Sequence, residues 1–235
     1  MSIDFVYAQA RLQARLGERL SEASWRVLES TLGLPQYLTS ARSTALAPRV
    51  HHFSTSVTTH TIERALRDDW RTEVAAASRW VPEPWSSAVA WATWLPYLDA
   101  LASLTSDEPA LPWMRSDAVL STVALDDVSA RQPAIAAAPF GALADGKSPA
   151  AMRARWFDHW MELRPRVTAD EEAGLGLLVA GVQRYLAANR LPGASRNKRR
   201  DARSQFDALA TALAHRHAEE PVAVFAYLSL VALDL

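Results

Sequence analysis

The chain contains no cysteine, which removes disulfides, thiolate metal sites and a cysteine nucleophile together and fits a reducing compartment. Glycine is scarce, with 8 in 235 residues, and no Gly-rich phosphate loop of either common kind can be traced. Long hydrophobic runs are missing as well. No window reaches the roughly 18–20 apolar residues of a transmembrane helix; the nearest, Pro221 to Leu235, is shorter and interrupted by Asp234. Charge of one sign is not in excess: 25 Lys+Arg stand against 26 Asp+Glu, so no global field draws in nucleic acid or an anionic membrane. The opening Met1-Ser2-Ile3-Asp4-Phe5 has neither a basic n-region nor an apolar h-region, which argues against a secretory signal. The expected address is cytoplasmic, with no direct membrane span.

Hydrophobic residues make up 49% and charged residues 22% of the chain, the balance of a folded protein rather than a disordered one. The apolar share is dominated by alanine and leucine, both strong helix formers. Phe5, Ala8, Leu12, Leu16 and Leu20 recur at spacings of three and four, as on one helical face. Ser21 reads as the N-cap of a second helix, and a short helix is expected around Tyr37 and Leu38. A long helix begins near Thr59 or Thr61, carries Ile62, Leu66, Trp70, Val74 and Ala77, and stops at Pro82-Glu83-Pro84. Another runs from Trp85 through Leu101 around Pro96. A turn over 105–112 and a short helix within 117–128 follow. Ser148 or Pro149 opens a helix with Met152, Trp156 and Trp160, closed at Pro165. Thr168 and Glu171 have the spacing of a capping box, ahead of Leu175, Leu178, Val182 and Leu186. That helix is expected to stop near 189–193. Two final helices occupy roughly 200–217 and 221 to the end, the last with Phe225, Leu228 and Val231 against the body. Period-two alternation is nowhere sustained. The expectation is therefore an all-α, multi-helix bundle, compact or funnel-like, without significant sheet.

Pro133, Pro139, Gly141, Gly146 and Pro149 make 131–149 the loosest stretch. A division into a helical part over 1–130, a Pro/Gly-rich connection over 131–149 and a helical part over 150–235 follows, with one continuous domain as the alternative. The 9 tryptophans read as large fillers between helices, or else as interface anchors.

Candidate chemistry is thin. His51, His52 and His60 cluster in one stretch, and His215, His217 and Glu219 offer three metal-ligating side chains within five residues. On a helix, His215 and Glu219 would share a face. Against a metal centre, nothing resembles His-Glu-x-x-His, and surface histidines near helix ends explain the residues equally. No Gly-x-Ser-x-Gly elbow occurs. The carboxylate doublets Asp68-Asp69, Asp126-Asp127, Glu171-Glu172 and Glu219-Glu220 are adjacent in sequence, so on a helix they diverge instead of converging on a substrate. The expectation is a non-enzymatic chain without a catalytic residue or cofactor. The dense charge feature is Arg196, Lys198, Arg199, Arg200 and Arg203, either a docking surface for an acidic partner or a solvated loop leading into a helix. No aromatics interleave it, which counts against single-stranded nucleic acid.

Placed on these helices, several segments resemble the C/d subunit family of rotary A/V-type ATPases. The opening Phe5-Val6-Tyr7-Ala8-Gln9-Ala10-Arg11-Leu12-Gln13-Ala14-Arg15-Leu16 resembles that family's first helix, and Tyr37-Leu38-Thr39 its short helix ending in a Thr and an aromatic. Ile62-Glu63-Arg64-Ala65-Leu66 is similar to its Glu-x-x-Leu helix, Trp91 to Leu101 to the helix after that, and Glu220-Pro221-Val222-Ala223-Val224-Phe225-Ala226-Tyr227-Leu228 to its closing helix. The likeness spans roughly the first 100 residues and the last 15. It implies a shortened or diverged relative of a helical adaptor that seats a central stalk on a membrane rotor ring in a proton- or ion-transporting assembly. Its partners would be other protein subunits, and it would lie peripheral to the membrane through them. A helical scaffold unrelated to rotary ATPases, and an enzyme using His215, His217 and Glu219, are the competing readings.

Overall fold

Side-chain capping sets where several of the helices begin. A computed structural model of the chain describes residues 5–190 and 195–234. In chain order the α-helices are α1 (Val6–Gly17), α2 (Glu22–Glu29), α3 (Leu34–Ala41), α4 (Ala47–Val50), α5 (Thr59–Trp80), α6 (Glu83–Ala90), α7 (Leu98–Thr105), α8 (Pro112–Ser116), α9 (Val128–Ala137), α10 (Pro149–Leu163), α11 (Ala169–Arg190), α12 (Arg196–Arg216) and α13 (Pro221–Asp234). Among the described residues no strand forms, so the all-α expectation holds. Ser21, Thr58, Ser148 and Ser195 each accept a backbone N–H from the third residue on, satisfying an otherwise orphaned donor of the first turn. At α11 the box closes both ways: the Glu171 amide donates to Thr168 Oγ1 at 3.3 Å, and the Thr168 amide to Glu171 Oε2 at 2.6 Å.

The chain folds as two compact units, one of residues 1–83 and 166–235, the other of 84–165. The first is organised around α13, which is apolar all round and buried on nearly every face: Val222, Val224, Phe225, Tyr227, Leu228, Leu230 and Val231 all lie in the core. It packs against α1, α5, α11 and α12. Leu175 and Leu178 of α11 are buried, and Gly181 lets α11 approach α12 closely: a Cβ there would stand 2.6 Å from Leu209 Cδ2. A satellite core of Leu28, Leu38, Ala41, Leu46, Val50 and Phe53 joins α2, α3 and α4 to Ile62 and Ala65 of α5.

In the second unit α7 packs on α10, and the segment between α6 and α7 is a 3₁₀ helix, Trp91–Tyr97, containing Pro96. The Trp91 indole N–H donates to the Trp156 carbonyl at 2.9 Å, and the Trp156 indole N–H to the Trp91 carbonyl at 3.2 Å. Trp94 meets Phe140 edge to face with centroids 5.0 Å apart. Trp70, Trp85, Trp91 and Trp160 are buried and the other tryptophans half-buried.

Two expectations change. The 131–149 stretch is not a connection between domains but part of the second unit. Asp127 caps α9, Pro133 is accommodated inside it, and Ile135, Phe140 and Leu143 are buried. Arg131, itself buried, donates to the carbonyls of Leu125 at 2.8 Å and Glu108 at 2.5 Å and so ties this stretch down. Within 117–128 only a single 3₁₀ turn forms, Leu120–Thr122, because the buried Asp117 carboxylate accepts the Val119 and Leu120 amides and fixes a turn.

Candidate functional site

Three surfaces of the first unit carry the polar residues singled out in the sequence. On α1, Leu12 and Ala8 face inward, while Val6, Tyr7 and Arg11 face outward. Tyr7 and Arg11 are four apart and therefore neighbours on the helix surface. The Arg11 Nε donates to the Tyr7 hydroxyl at 3.1 Å, and its guanidinium carbon lies 5.3 Å from the ring centroid. With 55% of Tyr7 exposed, this pair presents an amphipathic surface.

The basic run lies at the start of α12 and is helical rather than a loop. The expected stop at Leu191, Pro192 and Gly193, and the Arg196 side chain, lie outside the described residues. Helical periodicity divides the rest. Lys198 and Arg199 are exposed and occupy a first turn that holds no acidic residue, the end of the helix dipole that disfavours cations. Arg200 turns back and pairs with Glu29 at 2.9 Å. Arg203 lies 4.0 Å over the Trp25 ring centroid and pairs with Asp234 at 3.4 Å. Asp234 is held mainly by Arg19, whose Nε and Nη2 donate to it at 2.6 and 3.0 Å; Arg19 also reaches Asp207 at 2.6 Å. Burial opposes the Arg19 charge, but these two carboxylates outweigh it and raise its pKa. Of the five expected docking cations, Arg200 and Arg203 therefore hold the unit together, and Lys198 and Arg199 remain outward.

The histidine group also rearranges. α12 ends at Arg216, so His215 and Glu219 do not share a helical face; both are exposed. His215 lines a crevice of about 10 Å³ with Gln9, Leu12 and Ala223, roughly the space of one water. His217 is buried at the helix end, its amide still donating to Leu213 O at 3.0 Å. Its Nδ1 lies 2.7 Å from Glu220 Oε2 and 3.9 Å from Asp170 Oδ2. Elsewhere, His51 Nδ1 lies 2.8 Å from the Pro48 carbonyl and His60 Nδ1 3.4 Å from Glu63, so these rings engage their own local turns. Asp170 has no place among the sequence candidates, and Glu220 has one only in the Glu219-Glu220 doublet and the closing-helix motif. The Glu220-Pro221 pair was the available signal, because proline at a first helical position implies that the preceding helix has already stopped.

Among the described residues no helix is long and apolar enough to cross a membrane. Compared with protein-family models, with curated proteins and with solved structures, the chain finds no match.

Proposed function

We propose that this chain is a non-enzymatic docking subunit, similar in role to the C/d subunits that couple the central stalk of a rotary A/V-type ATPase to its membrane ring. The observation that carries the reading is the meeting of distant segments. The first helix and the closing helix resemble that family separately, at opposite ends of the chain. In the first unit α1 and α13 pack together and both meet α5, while Ile62 of the Ile62–Leu66 stretch in α5 packs on the satellite core that holds Leu38 of the Tyr37-Leu38-Thr39 segment. The apolar positions of these segments thus account for packing. Tyr7 and Arg11 face solvent, so packing does not account for them, and they become the docking positions together with Lys198 and Arg199.

The test is capture of partners from gently solubilised native membranes by the tagged chain, with the retained proteins identified by mass spectrometry. Rotary ATPase subunits recovered at near-equal stoichiometry, and lost when Tyr7→Ala and Arg11→Glu are combined, support the reading. A different defined set retains a docking protein and discards the rotor. Absence of any stoichiometric partner rejects both.

A further inference from the structure

We infer that Asp170, His217 and Glu220 form a binding site for one divalent transition-metal ion, with zinc as the probe. One ligand atom from each residue lies within 4.8 Å of the other two. The residues come from the first turn of α11, the end of α12 and the turn before α13, so an ion would tie three elements of the first unit together. This inference is independent of the docking role.

The local sequence builds the arrangement. Asp170 and Gly174 are four apart on α11 and share a face. The His217 ring lies on that face: a Cβ at Gly174 would stand 2.9 Å from its Nε2 and 3.2 Å from its Cε1. Glycine therefore seats the ring, and Nδ1 is turned toward the two carboxylates. Burial fixes the imidazole, whereas Asp170 is exposed and Glu220 half-buried, so both carboxylates have room to adjust. Zinc takes nitrogen at about 2.0–2.1 Å and carboxylate oxygen at about 2.0–2.2 Å. The His217–Glu220 edge of 2.7 Å opens slightly and the His217–Asp170 edge of 3.9 Å closes slightly to reach that geometry. Coordination through Nδ1 requires the neutral ring as the tautomer with its one proton on Nε2, so that the Nδ1 lone pair faces the ion. Water supplies the fourth ligand from the exposed Asp170 side. A donor set of one imidazole and two carboxylates suits zinc and its divalent first-row neighbours rather than copper(I). One cation competes: Arg216 Nη2 lies 3.6 Å from Asp170 Oδ1.

Isothermal titration of zinc into the metal-stripped full chain tests the site, with circular dichroism confirming that each variant folds. One ion per chain is expected. Asp170→Asn and Glu220→Gln should each weaken binding by about tenfold or more, the scale on which even an outer hydrogen-bond partner of a ligand counts. Arg216→Ala should tighten it, because the competing cation is gone. His215→Ala and Glu219→Ala should leave it unchanged. Absence of saturable one-to-one binding, binding indifferent to Asp170→Asn, or binding lost with His215→Ala would each overturn the assignment. His217→Ala need not be used, since the buried ring also fills space.

Discussion

Replacing Arg203 by alanine should destabilise the first unit, while reversing both Lys198 and Arg199 to glutamate should not. Arg203 has 22% of its side chain exposed, and the Asp234 carboxylate it meets only 8%. Its guanidinium stands 4.0 Å over Trp25, a partly desolvated cation–π contact of about 1–2 kcal/mol. The pair with Asp234 adds about 0.5–1 kcal/mol, a modest figure because Arg19 keeps that carboxylate partnered when Arg203 is removed. The expected loss is therefore about 1.5–3 kcal/mol. In a unit of this size each kcal/mol shifts Tm by roughly 2–4 °C, which gives about 3–12 °C. Lys198→Glu with Arg199→Glu removes two exposed cations from the positive end of a helix dipole, so it should gain about 0–1 kcal/mol. Arg203→Lys should fall between, because an ammonium keeps the charge but not the planar stack on Trp25. Urea unfolding followed by far-UV circular dichroism and by tryptophan fluorescence measures all three. A loss within about 0.5 kcal/mol of the parent for Arg203→Ala, or a Lys198/Arg199 reversal as costly as Arg203→Ala, would show that Arg203 does not hold the unit together.

Two further outcomes follow from buried polar contacts. Trp91→Phe and Trp156→Phe each delete one indole donor from a reciprocal pair and should each cost about 1–3 kcal/mol. The double variant should cost less than the sum, since the two bonds hold the same pair of segments; strict additivity in urea unfolding would show that they act separately. Tyr227 donates to Glu73 Oε2 at 3.0 Å, and burial, then the Glu73 charge, pushes the phenol well above its ordinary value. A folded pKa above the unfolded value of about 10 means that this contribution is intact below pH ~10 and is lost as pH rises through the folded value. The parent should thus lose stability more steeply above pH ~10 than Tyr227→Phe, and parallel Tm–pH curves would contradict the assignment. At neutral pH Tyr227→Phe should cost about 1 kcal/mol.

What was legible in the sequence was local. Ser21, Ser148 and the Thr168–Glu171 box announce helix starts because a cap is satisfied within three residues of itself. The burial of α13 was legible for a similar reason: its composition leaves no polar face to turn outward. Unit boundaries are not local. Proline marks both true divisions, at Pro84 and Pro165, as clearly as it marks 131–149, and only contacts distinguish them. No short-range signal tells that the chain returns at Arg166 to the unit it left at Glu83, nor that Asp127 and Arg131 hold the Pro-rich stretch inside one core.

Both candidate sites rearrange in the structure for a related physical reason: spacing alone carries neither a helix's end nor its phase. His215 and Glu219 share a face only if α12 continues past Arg216; it stops there, and the turn carries Glu220 to His217 instead. Asp170 joins them from an element 47 positions upstream in sequence, which no motif encodes. The basic run, read from sequence as a docking surface or a loop leading into a helix, carries no phase until the helix start is known. Once α12 winds through it, 100° per residue separates neighbours. Lys198 and Arg199 remain outward while Arg200 and Arg203, three apart, turn to Glu29, Trp25 and Asp234. A run of like charges longer than one helical turn here divides into two populations, one that binds its own fold and one that faces solvent. The Arg203 and Lys198/Arg199 variants separate them: stability should follow the first and partner capture the second.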